Sequence, residues 1–246
     1  ARQLVAQGKT PEQVRQLAAE NGEKMRKLGI TVDFAPVVDV SAESDDQVIG
    51  DRSFSDDPQV VTEYAQAFAQ GLEDAGIMPV FKHFPGHGSG SGDSHLGAVR
   101  TPPLSELVQS DLVPYRTLLA EPGNAGVMVG HLIVPGLTAG DTPASISRAA
   151  IGMLRTGTKY DGPRFNGVVF TDDLSGMKAI TDKYSIEQAV LKSIQAGADV
   201  GLWLTTDRVP SVLDALEEAV KSGDLTRARV DRSVIRILRA KGVLDC

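Results

Sequence analysis

The chain has 246 residues, 41% hydrophobic and 23% charged, with a net charge of −7 and one cysteine, Cys246, at its last position. That length buries one core of barrel or sandwich size, and the apolar and charged fractions are those of an ordinary globular domain. The acidic balance argues against nucleic-acid or anionic-membrane partners, no apolar run approaches a membrane span, and a lone cysteine excludes an intrachain disulfide framework. Ala1 has no initiator methionine before it. The chain therefore reads as trimmed, either at an arbitrary boundary or after an export or lipid-anchor signal.

The first predicted element is a helix over "TPEQVRQLAAENGEKMRKLG", with Thr10 at its N-cap and Pro11 at the first helical position. The strand run "ITVDFAPVVDV" follows. A second helix covers "DPQVVTEYAQAFAQGLEDAG", where Val60, Tyr64, Phe68 and Leu72 form a stripe at four-residue spacing. Strand runs "IMPVFKH", "AGVMVGHLIV" and "NGVVFTD" come next, then the helix "SIEQAVLKSIQAG", the strand run "ADVGLWLTT" and the helix "VPSVLDALEEAVKSG". Both of these helices close on glycine, the expected stop. The strand runs are almost continuously apolar, as parallel strands buried on both faces are. Five βα units at roughly forty-residue spacing indicate a parallel α/β fold, a (β/α) barrel or an open doubly wound sheet.

Polar residues gather where the strand runs stop. Asp39 follows the first run, Lys82 and His83 end the second, and His131 lies in the third. Asp172 and Asp173 end the fourth, and Thr205, Thr206 and Asp207 end the fifth. An open sheet concentrates its chemistry at one switch point, whereas a barrel gathers the carboxyl ends of all its strands on one face. Polar endings on every run favour the barrel.

Three of the four histidines fall within "KHFPGHGSGSGDSH", residues 82–95. A phosphate cradle does not fit, because neither a G-K-[ST] nor a strand–glycine–helix dinucleotide pattern is present. His83, His87, Asp93 and His95 are suitable metal ligand types. Pro85 and Gly86, however, break the helix that would bring His83 and His87 onto one face. A flexible glycine-serine loop with incidental histidines is a further reading. The last treats Asp93 and His95 as a pair, in which the carboxylate accepts a hydrogen bond from the imidazole, orients it and makes it a better general acid. The surrounding glycines would let that pair swing over the barrel mouth.

A general acid needs a counterpart, and "GVVFTDDLSGM" offers one. Neighbouring side chains on a strand point to opposite faces, so Asp172 is the expected pocket residue and Asp173 the expected cap of the following turn. Both aspartates acting as caps is the competing reading. A carboxylate nucleophile opposite a separate acid is the plan of a retaining glycosidase, with histidine as an unusual acid.

"KHFPGHG", "DSH", "PASIS" and "VVFTDDLSGM", together with "FAPVVDV" and "VIGDRSFSDDP", resemble the β-N-acetylglucosaminidase branch of the family 3 glycoside hydrolases, in the family's order and over residues 10–242. The resemblance implies a (β/α)8 TIM-type barrel and a retaining hydrolase that releases terminal β-linked N-acetylglucosamine from peptidoglycan-derived fragments. It assigns the nucleophile to Asp172, the acid/base to His95 and its partner to Asp93. Sugar contacts fall on Arg52, Lys82 and His83, with His131 near the pocket. It implies no metal and no cofactor, a small carbohydrate substrate such as a muropeptide, no nucleic acid, and no membrane contact by this segment.

Two departures from the family stand out. Gly176 separates Ser175 from Met177 where the family reads D-D-L-S-M, and the family's earlier D-[EQ]-E-G-G-R segment is not present. By that comparison the chain carries five of eight βα units of a single catalytic domain, N-terminally incomplete. A complementing N-terminal fragment or a neighbouring copy is then expected to cover its open edges. A metal-dependent hydrolase using the histidine cluster and a non-catalytic sugar-binding fragment are the alternatives. Both cytoplasmic and exported or lipid-anchored locations are compatible with this stretch.

Overall fold

A computed structural model describes residues 1–244; Cys246 lies outside the described residues. In chain order the strands are β1 (Val32–Asp33), β2 (Met78–Phe84), β3 (Val99–Arg100), β4 (Gly126–Val129), β5 (Leu132–Ile133), β6 (Val169–Asp173) and β7 (Val200–Leu202). Five of them form one curled, wholly parallel sheet in the order β1-β2-β4-β6-β7, an arc of a TIM-type barrel. β1 and β7 are its edges, in the two runs where the reading of five strands puts them.

One predicted run divides. "AGVMVGHLIV" leaves the main sheet after β4, and β5 pairs instead with β3 as a separate parallel two-stranded ladder. The break falls at Gly130 and His131, where the Gly130 N–H donates to the Phe84 carbonyl at 3.0 Å and its own carbonyl accepts from the Ser145 N–H at 3.2 Å. The last run yields only three strand residues. Thr205, Thr206 and Asp207 lie beyond them on an exposed 3-10 turn, outside the strand end expected for them.

Strand parity separates two layers. Phe81, Val127, Val129 and Val169 pack against the helices with Val61, Ala65 and Tyr115. Met78, Val80, Met128, Val168 and Phe170 face the concave side with Val32, Phe34 and Val200. Asp172 is two residues beyond Phe170 and therefore belongs to the concave side at the carboxyl end of β6.

The helices start and stop where local chemistry requires. Thr10 and Gln13 form a reciprocal capping box for the helix Pro11–Lys27, and Ser185 and Gln188 form another for Ile186–Ala196. Asp57 accepts from the Gln59 N–H to open Pro58–Asp74. The stripe on that last helix is rotated from the expected one. Val61, Ala65, Ala69 and Leu72 are buried, while Val60, Tyr64 and Phe68 are half-buried beside them. Small residues win the inner face because the neighbouring helix comes very close. A Cβ at Gly71 would stand 2.1 Å from the Arg15 carbonyl oxygen, and one at Gly22 would stand 2.6 Å from Ala75 Cβ.

Gly71→Ala is accordingly expected to force the two helices apart, at about 1–3 kcal/mol of stability. A lower denaturant midpoint at unchanged slope would register that loss. An unchanged midpoint would mean that the helices separate without cost.

Candidate active site

The carboxyl end of β2 is organised around a carboxylate from another segment. Val37 bridges to Lys82, and the Val38 N–H donates to the Lys82 carbonyl at 2.7 Å, which lays residues 37–41 along the end of the strand. Asp39 is thereby wholly buried. Its Oδ1 accepts the backbone N–H groups of His83 (3.1 Å) and His87 (2.8 Å), and its Oδ2 lies 2.7 Å from His83 Nδ1. Burial pushes the Asp39 carboxyl up, but the His83 and His87 contacts outweigh it and hold the group below the usual carboxylate range. An ionised Asp39 only accepts, so His83 donates its Nδ1–H and turns Nε2 toward Asp172 Oδ2, 3.9 Å away.

Asp172 is 14% exposed at its side chain and sits where parity directs it. Burial raises its carboxyl, yet His83, His131, the Asp173 N–H and Lys82 together carry it below the ordinary value. The carboxylate is therefore ionised at neutral pH and open on one side. Lys82 is half-buried near Asp172 and Arg52, and desolvation is the main cause of its lowered pKa. Asp173 behaves as the expected cap: its Oδ1 accepts from the Ser175 N–H at 2.8 Å and from the Ser175 hydroxyl at 2.6 Å. Gly176 lies beside it, where a Cβ would come within 2.6 Å of Asp173 Oδ2.

His131 plays a bracing part. Its Nε2 donates to the Asp173 carbonyl at 2.8 Å, which leaves Nδ1 to accept from the Ser145 hydroxyl at 2.7 Å. Burial lowers its pKa, in keeping with a neutral ring. It orients the peptide that follows Asp172 rather than opening into the pocket.

Asp93 and His95 do pair. Asp93 Oδ1 accepts from the His95 backbone N–H at 2.9 Å and lies 2.7 Å from His95 Nδ1. The His95 N–H, with burial opposing it, sets the lowered pKa of Asp93. His95 remains 60% exposed at its side chain, on a loop anchored at both ends. At the entry, Gly88 is pressed so closely on Val40 that a Cβ would lie 1.9 Å from the Val40 carbonyl oxygen. Farther on, the Ser94 carbonyl accepts from the Ala179 N–H at 3.1 Å, and the Ser94 hydroxyl contacts Met177 Sδ at 3.3 Å. The loop thus spans from the end of β2 to the segment following Asp172. Arg52 is exposed on the turn Gly50–Arg52 and donates to the Val48 carbonyl at 2.5 Å.

His83, Lys82 and Asp172 are brought together; Asp93 and His95 pair with each other on the exposed loop between β2 and the segment following Asp172, and Arg52 is exposed on its own turn. Asp39, the anchor of the arrangement, is identifiable in sequence only as a polar end to "FAPVVDV"; its partners lie more than forty residues away. His87 is buried with its ring edge-on to His83 at 5.8 Å. Among the described residues, no three His, Cys, Asp or Glu side chains converge to hold a metal ion.

Comparison with known proteins adds a family. The description "Glycosyl hydrolase family 3 N terminal domain" matches residues 1–240. The chain is 62% identical over 242 residues to the beta-hexosaminidase LpqI of Mycobacterium tuberculosis, covering 98% of this chain and 62% of that protein. The solved structure of M. tuberculosis LpqI superposes with a TM-score of 0.95 at 61% identity, over 99% of this chain and 70% of that one. A glycoside hydrolase family 3 beta-N-acetylglucosaminidase from Paenibacillus sp. gives a TM-score of 0.86 at 34% identity, over 95% of this chain and 44% of that one. The chain spans about three fifths of the length of the curated relatives it matches.

The charge on Asp39 has a pH signature. Its folded-state pKa is depressed, so its stabilising contribution is complete above the unfolded value near 3.9 and is lost as pH falls through the lower folded value. Asp39→Asn is expected to cost about 1–3 kcal/mol at neutral pH, with the gap to the wild type narrowing in acid. Denaturant midpoints of both proteins between about pH 7 and pH 3 read this directly. A gap independent of pH would assign the loss to packing alone.

Proposed function

This chain belongs to glycosyl hydrolase family 3, and on that premise we propose that it carries the catalytic centre of a retaining β-N-acetylglucosaminidase. The observation that carries the reading is Asp172: an ionised carboxylate on the concave side of a parallel sheet, flanked by His83 and Lys82, with a histidine–aspartate pair on the loop that runs from the end of β2 to the segment after Asp172.

In this reading Asp172 attacks the anomeric carbon of a terminal β-linked N-acetylglucosamine. The bond to the glycosidic oxygen breaks as His95 passes its proton to that oxygen, and the aglycone leaves as an alcohol. A water then enters, His95 takes one of its protons, and the resulting oxygen attacks the anomeric carbon, freeing Asp172 and the sugar with its β configuration retained. Asp93 holds the imidazole in the orientation that both transfers need. Lys82, His83 and Arg52 bind sugar hydroxyls. The positive side chains around Asp172 stabilise it as the leaving carboxylate of the second step.

The substrate class is a peptidoglycan-derived fragment ending in β-linked N-acetylglucosamine, by similarity to the family branch. The domain is a single catalytic barrel in which further strands, from the same protein, a complementing fragment or a neighbouring copy, pair with β1 and β7. An apolar hollow of about 680 Å³ bordered by Val32, Met78, Phe170 and Val200 is consistent with such covering.

In the intact protein, Asp172→Ala should reduce turnover of an aryl β-N-acetylglucosaminide by at least about 10³-fold, or about 4 kcal/mol in barrier. A near-normal rate would move the nucleophile elsewhere, with Asp173 the next to test.

His95→Ala should discriminate by leaving group. Natural disaccharide cleavage should fall by about 10²-fold or more, whereas single-turnover glycosylation from a nitrophenyl glycoside should fall far less, because a phenolate leaves without a proton. Equal losses on the two substrates would reduce His95 to a binding or structural role.

A further inference from the structure

The opposite end of the sheet holds a second, differently built polar centre. The Asp199 side chain is fully buried just before β7, and its Oδ2 accepts from the Val169 N–H, the first of β6, at 3.0 Å. Arg155 lies 2.5 Å from it, Arg236 3.2 Å and Arg229 3.6 Å. These three arginines also bond backbone carbonyls or neighbouring side chains and clamp two helices to the sheet. One carboxylate thus faces three guanidinium groups.

The positive charge does not stop there. Arg148, Arg155, Arg229, Arg232 and Arg236 line one recess of about 230 Å³, together with Gln195. It adjoins a second recess of about 250 Å³ that shares Arg148 and Gln195 and adds Lys192. Among the described residues, no Asp or Glu side chain lines either recess. Arg148 donates only to the Gln195 carbonyl, at 3.3 Å, and Arg232 has no side-chain hydrogen bond or salt bridge among the described residues. Neither is needed to hold Asp199. Burial, opposed by Asp199 and reinforced by Arg236 and Arg229, lowers Arg155 to about 10, so it remains cationic at neutral pH under the repulsion of its neighbours. On a chain of net charge −7, this is a local inversion of sign.

We propose that these joined recesses form a binding site for a phosphoryl-bearing small anion, of the diphosphate type. Planar guanidinium forks match the oxygens of a phosphoryl group in pairs. Two adjoining small recesses suit one or two tetrahedral groups rather than an extended chain, and the acidic remainder of the surface repels a nucleic acid. Arg148 and Arg232 at the rim supply the charge that Asp199 does not neutralise. Its Arg155 end lies at the amino ends of β6 and β7, and neither recess is lined by Asp172, His83, Lys82 or the Asp93–His95 pair.

Calorimetric titration of the intact protein with sodium diphosphate, at fixed ionic strength, tests the proposal. One diphosphate should bind per chain, much tighter than chloride and uncompeted by N-acetylglucosamine. The Arg148→Ala/Arg232→Ala double variant should weaken binding at least about tenfold, with its thermal midpoint near the wild type, and Lys9→Ala should leave binding unchanged. Arg232→Ala alone gives the same test on an exposed side chain should the double variant fold poorly. A second arm uses vesicles with and without phosphatidic acid. Retention on the anionic vesicles, lost in the double variant, would assign the phosphoryl group to a lipid; binding in solution alone would assign it to a free solute. Diphosphate affinity no better than that of chloride, competition by N-acetylglucosamine, or equal losses in Lys9→Ala and the double variant, would overturn the proposal.

Discussion

A carboxylate with no access to water must find donors on all sides or give up its charge, and Asp39 finds three from a single short stretch. Leaving such a charge unpaired would cost several kcal/mol. The segment after β2 is therefore held to one path, with the backbone N–H groups of His83 and His87 both aimed at Oδ1 and the His83 ring at Oδ2. The position of Lys82, the outward aim of His83 Nε2 and the starting point of the His95 loop follow from that constraint. The apolar side chains of β2, Val80, Phe81 and Phe84, are buried in the core and contribute no polar bond to this turn.

The two adjacent aspartates on β6 show how one strand supplies a solvent-reaching carboxylate and its own support. Alternation sends Asp172 to the concave side and leaves Asp173 to close the following turn through Ser175. His131 then braces the Asp173 carbonyl through a neutral ring whose other nitrogen is taken by Ser145. Lys82 and the polar groups around Asp172 act against its burial without a short salt bridge to it among the described residues; the His83 ring approaches only to 3.9 Å. A carboxylate tied down by a close guanidinium would be a poor nucleophile. One kept ionised by charges at a distance retains a free lone pair.

The parallel strands, their edges and several helix ends were legible in the sequence because each depends on local rules: apolar runs, Thr10 before Pro11, a glycine after the last turn. The Asp93–His95 contact and the capping role of Asp173 were legible for the same reason, since each spans two residues. What was not legible depends on distant chain. The rotated face of the helix Pro58–Asp74 reflects how closely Gly71 meets Arg15, and the division of "AGVMVGHLIV" reflects bonds to Phe84 and Ser145. Asp39 looked like one polar strand ending among several, because its value lies in partners forty-four and forty-eight residues away.

β6 is held at both ends by bonds from outside its own ladder. At its first residue the Val169 N–H is bound by Asp199, and at its last the Asp173 carbonyl is bound by His131. Asp172 thus projects from a strand of five residues fixed at both termini and paired with β4 and β7 along its sides. Asp199, which holds the start of β6, and Asp39, which holds the end of β2, differ in kind. Asp39 is satisfied by two backbone N–H groups and a histidine ring, with no guanidinium or ammonium group bound to it among the described residues. Asp199 is surrounded by more arginines than it can neutralise, which leaves positive charge on the other side of the same sheet. A carboxylate used only as a clamp would be met by one or two cations; the surplus guanidinium groups around Asp199 are what make that face a place for an anion rather than a simple brace.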